Sequence, residues 1–209
     1  MALYSYIISS DYGFSPNPFW GISTLACCKP VIRRSAKVGD WVVGIRGKGL
    51  YKKMGLESND DSTVYKIIYA MKVAQKLSFA DYYNRYPKKR PDHKRLESIY
   101  KCGDNIYKLI GKSNFKQLVT SFHNDPDKQQ KDLRGKFVLI ADEFYYFGSK
   151  PIKIPTEFEN LICGRGHKCK FEVDFQKNFV NFIAARKIGV NARPNLWNEN
   201  DTSWQQVRL

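Results

Sequence analysis

The chain has 209 residues, of which 43% are hydrophobic and 14% aromatic; this is enough for a folded core and excludes disorder through most of its length. Lysine and arginine total 35 against 20 acidic residues, so the formal net charge is +15. A field of that sign concentrates anions, and we expect nucleic acid or a nucleotide as the partner. We expect no membrane partner, because no apolar run approaches the roughly 20 residues of a membrane span.

The N-terminus and the cysteines bear on the cellular compartment. The opening sequence MALYSYIISSDYGF has neither the charged start nor the apolar core of a secretion signal. Five cysteines are an odd number for a disulfide scaffold. We therefore expect a cytoplasmic protein in a reducing environment.

Short strands and one aromatic loop are predicted in the first quarter of the chain. Residues 3–9, 22–28 and 41–45 are apolar or alternate in the manner of strands. Residues 11–21 (DYGFSPNPFWG) predict a loop that packs down or lines a pocket, because solvated loops seldom carry four aromatic rings. Residues 47–55 (GKGLYKKMG) predict a flexible basic loop.

The middle of the chain alternates between ordered and polar segments. Residues 63–74 are β-branched and aromatic and predict a long strand. A helix is predicted to follow, with Ser78 as its N-cap and Pro87 as its stop. Residues 85–101 are the most basic stretch and predict a surface loop, and residues 125–136 predict a polar turn region.

The last third predicts a buried strand and one amphipathic helix. Residues 136–148 (KFVLIADEFYYFG) run as a strand into an aromatic cluster, and residues 175–187 have helical spacing with Gly189 as a C-cap. Strands and helices do not alternate in a βαβ rhythm, so we predict an α+β fold: a small mixed sheet or barrel with peripheral helices. We predict one domain over residues 1–209, with a basic surface insertion around 85–134.

Familiar catalytic and metal motifs are missing. The sequence has no P-loop, GxGxxG, HExxH, CxxC or GxSxG pattern. Cys163, His167 and Cys169, with Cys102 as a fourth ligand, have soft donors, but C-x3-H-x-C is not a usual zinc spacing. We predict no metal and no cofactor.

Aromatic and basic residues predict a nucleotide site. Phe14 and Trp20 would stack on a base, while Asp11 and Asn17 would hydrogen-bond its edge. Nearby basic residues would hold the phosphates: Lys29, Arg33, Arg34, and Arg165 and Lys168 of the Gly-rich turn GRGHK. The alternative is an ordinary solvated basic surface.

An enzyme would need further chemistry from the same segments. Asp11 or His167 would serve as acid or base, and Cys28 as a nucleophile. His93 and His123 lie in polar surroundings and receive no role.

Two stretches resemble a known family. They are residues 4–44, with NPFWG, CKPVIRR and VGDW, and residues 135–168, which include KFVLIADEFYYFG and GRGHK. Together they resemble the nucleotide modification associated domain 2 (Nmad2) family over most of the chain. The resemblance implies a bacterial or phage protein linked to DNA base modification, without deciding between an enzyme and a binding module.

A second resemblance concerns the fold. Residues 37–49, followed by residues 63–83, resemble the PUA-like fold of EVE and YTH domains, in which a Gly-Asp turn leads into a barrel strand and a later strand feeds a helix. This implies a small mixed or antiparallel β-barrel, with Trp20 and Trp41 as walls of a pocket for a modified base. Core packing is the alternative for Trp41.

Three functions follow from these features. The first is a domain that binds nucleic acid or a nucleotide and holds a base, modified or unmodified, in an aromatic pocket flanked by basic residues. The second is a transferase or hydrolase that acts on a nucleotide or nucleobase in a phage or bacterial DNA-modification system. The third is an interaction protein whose charge serves solubility or partner binding.

Overall fold

The computed structural model describes residues 1–207. Along these residues the strands are β1 (Leu3–Ile8), β2 (Ser23–Leu25), β3 (Trp41–Arg46), β4 (Lys66–Lys72), β5 (Gln75–Ser78), β6 (Tyr107–Ile110), β7 (Asn114–Gln117), β8 (Phe137–Ala141), β9 (Phe144–Tyr146), β10 (Ile152–Lys153) and β11 (Gly189–Val190). The α-helices are α1 (Pro30–Ser35), α2 (Lys48–Lys53), α3 (Asp61–Val64), α4 (Phe79–Arg85), α5 (Ser98–Lys101), α6 (Pro126–Leu133) and α7 (Val173–Ala184). Short 3-10 helices span Pro87–Lys89, Thr156–Leu161 and Ser203–Val207. The mixture confirms the predicted α+β class.

The largest sheet has its core on both faces. Its strand order is β1-β3-β4-β9-β11, with β10 paired to β4. β1 runs parallel to β3, and β3 runs antiparallel to β4. Successive residues of β3 point to opposite faces, so Val42 packs in one apolar cluster while Trp41, Val43 and Ile45 pack in another. Burial on both faces explains why all six residues of β3 are buried.

The sheet order does not close into a barrel within residues 1–207. β1 and β11 stand at opposite ends of the order, and no pairing joins them in the described part of the chain. The predicted barrel, and with it the PUA-like resemblance, is therefore not confirmed by the strand pairing.

A smaller sheet leads into the turn between β2 and α1. β8 lies between β2 and β5, antiparallel to both. A third apolar cluster, which includes Phe14, Cys27, Tyr107 and Ile140, packs beneath the turn from β2 into α1. This packing fixes where the chain leaves the sheet.

Two predicted loops are helices in the structure. Residues 47–55 contain α2, which buries Leu50, and residues 125–136 contain α6. The start of α6 has ordinary helix signals: the side chain of Asp125 accepts a hydrogen bond from the backbone N–H of Asp127, and Pro126 occupies the first turn. The predictions of loops at these two places were wrong because polar, lysine-rich sequences occur in loops as well as in exposed helices; only α6 has a side-chain cap that marks its start.

Other predicted elements are confirmed with shifted ends. α4 begins after Ser78, whose hydroxyl accepts a hydrogen bond from the Asp81 N–H, and it ends at Arg85. The predicted strand over residues 136–148 is two strands in different sheets, β8 and β9. Among residues 1–207, no helix combines the length and apolarity that crossing a membrane requires. The single domain with an insertion at 85–134 stays a prediction.

Candidate active site

The turn between β2 and α1 holds a cysteine in a constrained backbone conformation. Cys28 has a φ of 60° and Lys29 a φ of 41°, in the left-handed region that side chains other than glycine rarely adopt. The buried guanidinium of Arg33 donates from Nε to the Cys28 carbonyl at 2.7 Å. Constrained backbone of this kind is often found where a side chain must point at a ligand.

Cys28 contacts a histidine and, through it, an aspartate. The Sγ atom of Cys28 lies 3.5 Å from Nε2 of His123, and Nδ1 of His123 lies 2.6 Å from Oδ2 of Asp132. The other carboxylate oxygen of Asp132 accepts the Cys28 backbone N–H at 2.6 Å. A thiol, an imidazole and a carboxylate in this order form a nucleophile, a base and the group that orients the base.

Three parts of the fold bring these side chains together. Cys28 follows β2, Asp132 lies in the last turn of α6, and His123 lies between β7 and α6. The backbone carbonyl of His123 accepts a hydrogen bond from Gln117 of β7. The imidazole ring also packs edge-on against Phe14, with centroids 5.1 Å apart. The ring is therefore held on several sides.

Asp132 is buried and fully engaged. Its side chain is 1% exposed, and it accepts a hydrogen bond from the Tyr107 hydroxyl at 2.9 Å. Nη2 of Arg33 donates to the Asp132 backbone carbonyl. Burial by itself would raise the pKa of the carboxyl, but the hydrogen bond and charge of His123, together with Arg33, lower that pKa overall. Asp132 is thus a carboxylate when His123 is protonated.

His123 has a raised pKa for the complementary reason. Burial would lower the pKa of the imidazole, but its hydrogen bonds to Asp132 and Cys28 outweigh burial and raise the pKa to about 9. Nε2 of His123 therefore faces the Cys28 sulfur at a distance that suits proton exchange between them.

The three side chains line a basic cavity of about 610 Å³. Lys29 at the N-cap of α1, two lysines of α6, and Arg165 and His167 of the GRGHK turn line its walls. Lys29 reaches across the cavity, because its Nζ donates to the carbonyls of Ile7 and Gly166. Burial lowers the pKa of Lys29, and burial with the adjacent Lys29 charge lowers that of His167. The cavity suits an anionic ligand.

A metal ion is the alternative use of these donors. Sγ of Cys27, a nitrogen of His123 and an oxygen of Asp132 lie within 4.8 Å of one another. Two ligands of one tetrahedral zinc would stand about 3.3 Å apart, from metal bonds of about 2 Å. The 2.6 Å between Nδ1 and Oδ2 is instead a hydrogen-bond distance. Burial raises the pKa of the Cys27 thiol, which opposes the thiolate that a metal requires.

Several predicted site residues meet in this cavity. Cys28 and Lys29 lie on one wall, and Arg165 and His167 lie on another, although 137 positions separate Cys28 from Arg165 in the sequence. The GRGHK turn is held there by paired backbone hydrogen bonds between Lys168 and Ser5 of β1. The Lys168 side chain itself donates to Asn160.

Other predicted base-binding residues are enclosed by protein. Asp11 is 2% exposed and accepts from the Tyr146 hydroxyl at 2.6 Å and from Asn195 at 2.7 Å. Asn17 is fully buried and bonded to Lys89. Trp41 stacks on Tyr145 in the core. These three side chains have no open face toward a base.

The other predicted site residues either pack behind the cavity or lie on separate surfaces. Phe14 is buried and supports His123, and Arg33 is fully buried with its nitrogens on backbone carbonyls. Arg34 is exposed and lines a neighbouring groove. Trp20 is half-buried and lines a different cavity, of about 240 Å³.

Sequence reasoning missed His123, Asp132 and the two cavity lysines of α6. The capping pattern of Asp125 and Pro126 would have revealed that helix, and its residues Lys128, Lys131 and Asp132 would then have fallen on connected faces. No signal in a single sequence pairs His123 with Cys28 across 95 positions.

Comparison with known proteins gives one match. No curated protein and no solved structure matches the chain significantly. The sequence profile of nucleotide modification associated domain 2 matches residues 1–201. Because that match spans nearly the whole chain, this protein belongs to the Nmad2 family, whose description associates it with nucleotide modification.

Proposed function

We propose that the protein is a nucleotide-modifying enzyme, a transferase or hydrolase that uses Cys28 as a covalent nucleophile. The observation that carries the proposal is the chain of contacts from Cys28 through His123 to Asp132 at the wall of a basic cavity. Membership of the Nmad2 family supports a nucleotide as the substrate, and the geometry of the three side chains supports nucleophilic catalysis as the reaction type.

Each member of the chain has a defined step. Because the pKa of His123 is raised to about 9, the reacting pair is an imidazolium facing a Cys28 thiolate, and the thiolate attacks an electrophilic carbon of the substrate to form an S–C bond. The bond to the leaving group breaks, and His123 donates its proton to that group. Water or an acceptor hydroxyl, deprotonated by His123, then displaces the sulfur. Asp132 keeps Nδ1–H oriented and stabilises the imidazolium.

The cations of the cavity would bind the phosphates of the substrate. Lys29, Lys128, Lys131 and Arg165 line it. Charge-assisted hydrogen bonds to phosphate are roughly twice as strong as neutral ones, so these side chains would position the substrate over the sulfur. The chemistry needs a reduced thiol, which fits the cytoplasmic location that the sequence predicts.

Intact-protein mass spectrometry tests the nucleophile. The protein is incubated with nucleotides and modified oligonucleotides, and both protein and substrate masses are followed. We expect a protein adduct or a substrate mass change that Cys28→Ser abolishes. The matched control is Cys169→Ser, because Cys169 is exposed and outside the cavity. Turnover that survives Cys28→Ser would refute covalent catalysis by this residue.

A second measurement uses the intrinsic reactivity of the thiols. We expect iodoacetamide to alkylate Cys28 faster at pH 7 than it alkylates Cys169, although Cys169 is more exposed. Slower alkylation of Cys28 would contradict an activated nucleophile. Zinc retained by the purified protein, and lost together with function on chelation, would support the metal alternative.

A base-binding module is the second candidate. Half-buried Trp20 and Tyr86 line a separate cavity beside Arg85 and Lys88, which combines aromatic faces with cations. The PUA-like resemblance implies a base pocket with Trp20 and Trp41 as walls; this cavity would supply such a pocket with Trp20 alone of the two, because Trp41 lies in the core. Trp20→Ala should then weaken binding of a modified nucleoside by roughly 1–3 kcal/mol, measured by calorimetry. Unchanged affinity would remove Trp20 from any base site.

A further inference from the structure

A second groove continues from the active-site cavity. It encloses about 530 Å³ and shares Pro30, Val31 and Lys131 with that cavity, so the two are neighbours. Arg34 and Arg134 line the part that the active-site cavity does not reach. The groove is therefore an extension of the active site along α1 and α6.

Helix α6 and its C-cap provide a regular row of cations along this path. Lys128, Lys131 and Arg134 recur at every third residue, which keeps them on connected faces of the helix and spreads them over about 9 Å. Arg34 stands across the groove from this row, and Lys29 and Arg165 extend the positive charge at the active-site end.

These cations are not neutralised by acidic side chains of the described residues, although Lys29 also donates to two backbone carbonyls. Within residues 1–207, none of the six is paired with a carboxylate. Arg134 donates only to the Gln130 side chain. The acidic residues along the path are Asp132, which is engaged with His123, and exposed Asp127 in the second groove. The net charge along the path is strongly positive.

We propose that the substrate is a nucleotide within a polynucleotide strand, and that phosphates next to the reacting nucleotide lie in the groove of Arg34, Lys131 and Arg134. A free mononucleotide would have its phosphate satisfied in the active-site cavity, which leaves the second set of cations without a ligand. A strand continues past the reacting nucleotide and neutralises them. The inference rests on the proposed function for the reaction, but the groove is tested by binding alone.

Fluorescence anisotropy with single-stranded 12-nucleotide DNA and RNA, and calorimetry with a nucleoside monophosphate, test this assignment. For Arg34→Gln/Arg134→Gln we expect at least about tenfold weaker strand binding at 0.1 M salt. The magnitude of the slope of log affinity against log salt should fall by about 1.4, because each of the two lost phosphate contacts with a single strand contributes about 0.7. Monophosphate affinity should change less than twofold.

The control double variant Lys150→Gln/Lys187→Gln removes the same charge from exposed residues outside both cavities. The assignment is overturned if the two double variants bind the strand equally, or if monophosphate binding falls as much as strand binding. Cys28→Ser separates this inference from the proposed function. Strand binding should survive that change, so failure of the chemistry and failure of the groove give different results.

Discussion

The molecule holds two clusters of polar side chains, and both join residues 11–30 to residues 85–134. In one, Cys28, His123 and Asp132 face a basic cavity. In the other, the ammonium of Lys89 donates to the carbonyl oxygens of Asn17 and Ile22 and to the Asn17 side chain, at 2.8–3.0 Å.

The second cluster is closed by its own hydrogen bonds. Beside Lys89, the buried carboxylate of Asp104 accepts from the Thr24 hydroxyl at 2.7 Å and from the Tyr82 hydroxyl at 2.6 Å. Burial lowers the pKa of Lys89 to about 7, against a partial opposing effect of Asp104. A perturbed pKa therefore occurs in both clusters, and it does not by itself identify an active site. What distinguishes them is that one has a side open to a ligand.

The largest effect should come from removing the base of the open cluster. His123→Asn should slow substrate conversion by roughly 10²–10⁴-fold, because proton transfer by a positioned side chain contributes that much. The reaction is followed by mass spectrometry. His93→Asn is the matched control, because His93 is exposed and its ring forms a hydrogen bond with the Val119 carbonyl, away from the cavity. Equal rates for the two variants would contradict the assignment of the open cluster, with His123 as its base, as the reactive one.

The second-largest effect is expected from a substitution in the closed cluster. Lys89→Met should lower the free energy of unfolding by about 3 kcal/mol, because three buried oxygens lose their donor. Urea titration measures the loss. The rate of Cys28 alkylation should stay within twofold of the wild type. Lys88→Met is the control, since Lys88 is exposed, and an alkylation rate that fell with Lys89→Met would show that the clusters are coupled.

The pH dependence of the unfolding free energy should reveal the raised pKa of His123. Its folded pKa of about 9 lies above its ordinary 6.5, so its stabilisation is complete below pH 6.5 and is lost as pH rises through 9. The unfolding free energy of the wild type minus that of His123→Asn should fall by roughly 2 kcal/mol between pH 6 and pH 10. This value is smaller than the full pKa shift would give, because water in the cavity partly screens the charge of His123.

The contribution of Lys89 to the unfolding free energy changes with pH in the opposite direction. The folded pKa of Lys89 lies below its unfolded pKa, so the cost of burying this side chain falls as pH rises above 7. That contribution is common to both proteins and cancels in the difference. If the difference in unfolding free energy between the wild type and His123→Asn does not change with pH, Asp132 does not raise the pKa of His123.

The smallest effect tests how the open cluster is supported. In Gly135→Ala, the new Cβ would lie about 2.5 Å from the guanidinium of Arg33, which holds the carbonyls of Cys28 and Asp132. We expect a stability loss of about 1–2 kcal/mol and severalfold slower alkylation of Cys28. Gly164→Ala is the control, because its Cβ would meet no atom within 4 Å. Equal behaviour of the two variants would mean that Arg33 does not position Cys28.

Much of the fold could be predicted because it depends on local patterns. The alternation in β1, the apolar run of β3 and the Ser78 cap of α4 are properties of a few adjacent residues. Helices α2 and α6 were missed because polar, lysine-rich sequences are found in loops as well as in exposed helices. Burial of one side chain, Leu50 in α2, is a property of the fold rather than of the segment.

The candidate site could be predicted only in part. Cys28, Lys29, Arg165 and His167 were predicted from residue chemistry, and they share one cavity. Asp11 and Asn17 have the same chemistry, yet both are enclosed by protein. His123 was set aside because its sequence neighbours are polar, although its spatial neighbours are Cys28, Phe14 and Asp132.

The sequence by itself determined the α+β class, the strong positive charge and the family, because composition, periodicity and motif similarity are all carried by residues close together in the chain. Only the tertiary structure decided which polar residues stay open to a ligand. Whether a carboxylate or an ammonium is sealed or exposed depends on segments tens of residues away, as with Lys89 on Asn17 and Asp132 beside Cys28. Desolvation and hydrogen bonding at those contacts are set by the packed fold, and together they separate a structural cluster from a reactive one.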